Sequence, residues 1–197
     1  TRNIGGSTFM RAVFYMPNLI GGLTLGFVWN FIFVEIFPII GEKLGISLLS
    51  GWLTDSVTGL WGLVILTTWQ MSGYMMIIYI AGIQNIPGEL MEAAKMDGAT
   101  GWQILRKVTI PMVMPSVTIC TFLTLSNSFK LFDQNKALTN GAPMNKTEML
   151  ALNIYNTFYG RPGFEGVGQA KAVIFFLLVA GIALIQLRMT RGKEVEQ

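Results

Sequence analysis

Polar side chains that recur at helical spacing inside uncharged runs are where this chain could do chemistry. Thr67, Gln70, Met71 and Tyr74 fall at i, i+3, i+4 and i+7, so they share one helix face. Thr121, Thr124 and Ser128 form a second stripe, with Asn127 on its edge and Leu131 following. Hydroxyls and amides beside an aromatic ring suit a neutral, hydroxyl-rich solute, because they hydrogen-bond without the strong charge pairing that an amino acid or phosphate calls for. Gln70, Met71, Tyr74, Thr124, Asn127, Ser128 and Leu131 are therefore the candidate substrate path. The same groups have a plainer use, since Ser and Thr often bond back to the i−4 carbonyl and Gln or Asn often joins neighbouring membrane helices.

No catalytic residue is expected. The chain has no His, no mid-membrane Asp pair and no nucleophile with an obvious activating partner. No metal site is expected either, with His absent and Cys120 alone inside an apolar run.

The elements that carry these stripes follow from charge. Of 197 residues, 52% are hydrophobic and 13% charged, against roughly 25% charged in soluble domains. No charged residue lies between Arg11 and Glu35, Asp55 and Glu89, or Lys107 and Lys130. A helix needs about 20 apolar residues to cross a hydrocarbon core of ~30 Å, and these three gaps suffice. The gap from Lys171 to Arg188 is shorter, but its flanking cations can snorkel to the interface. The fold class is all-α: a polytopic membrane protein with four transmembrane helices. They are expected near Phe9–Phe33, Ser56–Pro87, Met112–Phe129 and Ala170–Leu187. Pro17 should kink the first, and Gly22-x-x-x-Gly26 offers another helix a close approach. Glu35–Asp55 is expected as a connection with Trp52 at the interface, and a second connection of about 40 residues reaches Gly168. A net charge of +3, spread along membrane-flanking segments, excludes a nucleic-acid patch.

Residues 88–111 form a polar hairpin between the second and third spans. Glu89–Met96 is rich in helix formers, and Gly98 can take the left-handed conformation that ends a helix. Thr100-Gly101-Trp102-Gln103 has the pattern of a capping box. A second short helix, Gly101 to about Val108, should carry Arg106 and Lys107 at its C-terminus. Ala93 and Ala94 leave a shallow surface suited to a partner's groove, although a capped turn needs no partner. Arg2, Arg11, Lys95, Arg106, Lys107, Arg188, Arg191 and Lys193 would share one side of the membrane. Lys43, Lys136, Lys146 and Arg161 would share the other, with Lys130 and Lys171 near that border, where Lys130 and Asp133 could form a charge pair at the outer mouth or an ordinary solvated pair. The positive-inside bias then puts the hairpin and C-terminus in the cytoplasm.

Glu92-Ala93-Ala94, then Gly98, then Ile110-Pro111, resembles the cytoplasmic coupling loop of ABC importer permeases. The likeness extends over Arg11–Pro17, Trp69, Tyr74, Ala81, Gln84, Ile86 and Pro87. It continues through Phe129, Phe132-Asp133, Leu138–Pro143, Tyr155, Phe158, Gly168, Ala170 and Ala172. It favours the maltose/multiple-sugar branch, with Ala142, Val108 and Ile110 as small departures. The resemblance implies a single permease domain over residues 1–197, with one or two further membrane helices ahead of Thr1. It also implies that Glu92, Ala93, Ala94, Asp97, Gly98 and Ala99 dock on ATPase subunits. ATP and Mg²⁺ would belong to those subunits, since no Gly-x-x-x-x-Gly-Lys-Ser/Thr loop occurs here and no cofactor is expected on this chain. Further partners would be a second permease subunit, an extracellular solute-binding protein and the lipid bilayer, in a prokaryotic cytoplasmic membrane. The expected function is import of a sugar or oligosaccharide by alternating access. The alternatives are another ABC cargo (a polyol, a glycerol-phosphate-like solute or a peptide), or a secondary transporter or channel, for which the helices lack a mid-span charged coupling group.

Overall fold

The computed structural model describes residues 6–191, with side chains to Met189; Arg2, Lys193 and the Arg191 side chain lie outside the described residues. In chain order the α-helices are α1 (Ser7–Leu19), α2 (Gly22–Phe31), α3 (Phe37–Leu44), α4 (Ser56–Gln84) and α5 (Gly88–Met96). Then come α6 (Gly101–Ile104), α7 (Ile110–Phe129), α8 (Asp133–Leu138), α9 (Leu150–Gly160) and α10 (Glu165–Arg191). Among the described residues, four helical stretches are long and apolar enough to cross a membrane: Gly22–Leu44, Ser56–Gln84, Gly101–Phe129 and Glu165–Met189.

The first span differs from the expectation of one helix over Phe9–Phe33. Its backbone breaks after Leu19, where Ile20 turns extended (φ −83°, ψ 130°) before Gly22 starts α2. Pro17 and the weak helix formers Gly21 and Gly22 account for the break. Phe14 lies against Gly73, Ile20 against Gln70, and Phe33 against Gly62, so α1 and α2 together run antiparallel to α4 with the break midway. The expected connection from Glu35 is also corrected, because helix continues to Leu44 with Glu35 inside a π turn, Ile32–Ile36. A second π turn, Leu105–Thr109, joins α6 to α7. Each wide turn ends two residues before a proline, Pro38 or Pro111, and relieves the clash a proline makes with the carbonyl four residues back. The helix beginning at Gly101 thus runs unbroken into the third span. Arg106 and Lys107 sit within it and not at a C-terminus.

The second connection is mostly helical. Its α8 wedges between α2 and α4. Gly22 and Gly26 make room for it, since a Cβ on Gly26 would lie 2.5 Å from that of Ala137. The small-residue face therefore receives this short helix, not another spanning one. Leu138 joins Leu25, Phe33, Leu63 and Leu66 in the core cluster. Trp52, in the connection before α4, stacks on Phe33 (5.8 Å, 4°). Asn135, at 0% exposure, anchors the following loop: Nδ2 donates to Thr139 Oγ1 and the Thr147 carbonyl, and Oδ1 accepts from Met149 N–H, each at 2.9 Å. Lys171 on α10 does not snorkel freely; Nζ donates to Asn153 Oδ1 (2.8 Å) and Thr157 Oγ1 (2.7 Å), tying α10 to α9.

Candidate solute cavity and docking hairpin

A cavity of about 490 Å³ opens between α4, α7 and α8 at the level of the break between α1 and α2. Its polar lining is Asn18, Thr67, Gln70, Asn127, Ser128, Lys130, Asp133 and Gln134, set among Leu63, Val64, Met71, Leu131, Phe132 and Met149. Five candidate path residues meet here: Gln70, Met71, Asn127, Ser128 and Leu131. The other two do not. Tyr74 turns toward Tyr15, ring centroids 6.5 Å apart. Thr124 lines a separate recess with Met75, Tyr79, Cys120, Thr121, Leu125 and Ser128. Ser128 borders both spaces.

The helices use part of this polarity themselves. Thr67 Oγ1 donates to the Leu63 carbonyl (2.7 Å) and Ser128 Oγ to that of Thr124 (2.8 Å), the back-bonding usual for membrane hydroxyls. Gln70 is buried and spent at both ends. Its Nε2 donates to the Ile20 carbonyl at 3.2 Å, and its Oε1 accepts from Gln134 Nε2 at 2.8 Å. Asn127 makes no such bond and stays exposed on the wall. Helix spacing found the α4 and α7 faces but missed Asn18 and Gln134. Asn18 stands at the end of the broken helix; Gln134, like Lys130 and Asp133, follows α7, where periodicity in the spanning run stops. The turn after α7 and the start of α8 fold them back, so charged groups reach a cavity whose two spanning helices, α4 and α7, carry none. Lys130 and Asp133 both line it, but no ion pair or hydrogen bond joins them.

The hairpin has the local structure its residues dictate. Gly98 takes φ +72°; its N–H donates to the Lys95 carbonyl and that of Ala99 to the Ala94 carbonyl, each at 3.0 Å, which is the Schellman pattern. Thr100 then caps α6: its N–H donates to Gln103 Oε1 (2.7 Å) and its Oγ1 accepts from Gln103 N–H (3.4 Å). Glu92, Ala93, Asp97 and Gly98 are exposed, while Ala94 and Ala99 are half-buried at the cap. Met96, 89% exposed, and Trp102, 67% exposed, flank them as uncovered apolar groups.

Residues 4–193 match the family described as "Binding-protein-dependent transport system inner membrane component". The chain is 56% identical over 196 residues to a probable starch degradation products transport system permease of Thermoanaerobacterium thermosulfurigenes, covering 100% of this chain and 67% of that protein. It is 32% identical to a multiple sugar-binding transport system permease of Streptococcus mutans, covering 98% of this chain and 66% of that protein. It thus spans about two thirds of the length of these relatives. In fold it is similar to a chain of a bacterial ABC transporter involved in importing the acidic polysaccharide alginate, with TM-score 0.76, 19% identity and coverage of 97% of this chain and 68% of that one. The chain belongs to the inner membrane components of binding-protein-dependent transport systems, whose family model covers residues 4–193.

Proposed function

We propose that this chain is a permease subunit of an ATP-driven importer and passes a sugar or oligosaccharide through the α4–α7–α8 cavity by alternating access. The cavity is the observation that carries the reading. Amides and hydroxyls converge on a space of about 490 Å³ with apolar walls, within the usual size of small-molecule sites. Lys130 and Asp133 bring one charge of each sign, which fits a neutral polyhydroxyl solute. The names of the starch-degradation-product and multiple-sugar relatives support that cargo class.

The drive would come from a separate ATPase, which holds ATP and Mg²⁺. Glu92, Ala93, Ala94, Asp97, Gly98 and Ala99 form its docking surface, with Met96 and Trp102 as apolar flanks. A second permease would cover the exposed apolar faces within the bilayer, and a solute-binding protein would deliver cargo at the end opposite the hairpin. That places the hairpin and the end of α10 on the cytoplasmic side. The π turn and continuous helix from Gly101 to Phe129 give movement of the docked hairpin a stiff route to Asn127 and Ser128.

The test co-expresses the longer native subunit with its ATPase and second permease and measures ATPase co-purification and sugar uptake for Glu92→Ala and Gly98→Ala. Weakened co-purification or uptake supports docking at the hairpin. An ATPase retained in both variants, with uptake unchanged, removes it.

A further inference from the structure

The direction of hydrogen bonding through two glutamine side chains decides which atom the cavity offers to a solute. The Ile20 carbonyl lies in the break between α1 and α2 and can only accept. It therefore requires Nε2 of Gln70, at 3.2 Å, and leaves Oε1 of Gln70 facing α8. That oxygen requires a donor, so Gln134 presents Nε2 to it at 2.8 Å. Gln134 Oε1 is left without a protein donor on a side chain that lines the cavity. Gly22 makes the arrangement possible, because a Cβ there would lie 3.1 Å from both Cδ and Nε2 of Gln134.

We propose that Gln134 contacts the solute, its amide oxygen accepting from a sugar hydroxyl, and that Gln70 is a positioning residue that fixes which end of Gln134 faces the cavity. This rests on the reading of the cavity as the solute passage. Gln134 lies outside the spanning helices, and the broken first span supplies the carbonyl that orients it through Gln70. The Ile20 carbonyl in that break sets the polarity of the whole chain of amides. A solute lacking the matching hydroxyl leaves this acceptor unpaired, which is where discrimination arises.

The test reconstitutes the complete importer with saturating binding protein and measures uptake of maltotriose and a series of its monodeoxy analogues. Discrimination by the binding protein is common to all permease variants, so the ratio between permeases isolates this site. For one analogue, Gln134→Met should lower maltotriose uptake about tenfold and abolish the parent's preference for maltotriose over that analogue, as the loss of one hydrogen bond predicts. Gln70→Met should leave assembly intact and reduce the same preference, because Gln134 can then turn either end outward. A Gln134→Met variant that slows all sugars equally, or none, while Asn127→Ala still impairs uptake, overturns this inference and leaves the cavity standing. Uptake unchanged in both Gln134→Met and Asn127→Ala, or no maltotriose uptake by the parent importer, overturns the solute-passage reading with it.

Discussion

Gly73 of α4 lies directly against the carbonyl group of Phe14 in α1, so closely that no Cβ fits between them. The neighbour is backbone in a helix and cannot swing aside as a long side chain would. Gly73→Ala should therefore destabilise the protein by about 1–3 kcal/mol through overpacking, more than the ~1 kcal/mol gained in helix propensity. A lowered Tm of the purified complex checks it; an unchanged or raised Tm would mean that α1 does not seat here.

Gly98 poses the opposite case, with left-handed φ and open space around it. Gly98→Ala should cost about 1–2 kcal/mol from conformation alone, and Gly98→Asn less, since Asn tolerates that region. Thermal unfolding measures the local cost. If ATPase binding falls equally in both variants despite unequal stability, the lost contact lies in the partner's groove and not in the turn.

Asn135 satisfies Thr139, Thr147 and Met149 from one buried amide. Asn135→Ala leaves several polar groups orphaned and should cost roughly 3 kcal/mol or more. Asn135→Asp keeps the acceptor for Met149 but loses the donors and buries a charge, so it should be no milder. Stability near that of the parent in either variant would show that water replaces the amide.

Within the cavity the two neighbours Asn127 and Ser128 should differ. Ser128 has already committed its hydroxyl proton to Thr124, so Ser128→Ala should change uptake by less than about threefold. Asn127 is free on the wall, and Asn127→Ala should lower uptake about tenfold, the equivalent of one lost hydrogen bond of ~1.4 kcal/mol. Sugar uptake in proteoliposomes, normalised to assembled complex, distinguishes them, and the reverse order of effects would remove Asn127 from the path.

Some of this was legible in the residues. The uncharged gap from Asp55 to Glu89 marked α4, because a bilayer tolerates no unpaired charge over that distance. Gly98 and the Thr100–Gln103 box marked the hairpin, because caps and turns depend on a few adjacent residues. The coincidence of Gln70, Asn127 and Ser128 on facing helices also followed from periodicity.

The break after Leu19 was legible only as a kink at Pro17, while the folding of Gln134 into the cavity and the turning away of Tyr74 were not legible. The last two depend on which distant residues lie alongside: Ala137 against Gly26, Tyr15 against Tyr74. The sequence by itself determined three of the four spans and the caps of the hairpin, since those rest on solvent compatibility and short-range geometry. Only the tertiary structure decided which polar groups remain available to a solute, because a hydrogen bond between residues 64 positions apart spends one amide and frees the end of another.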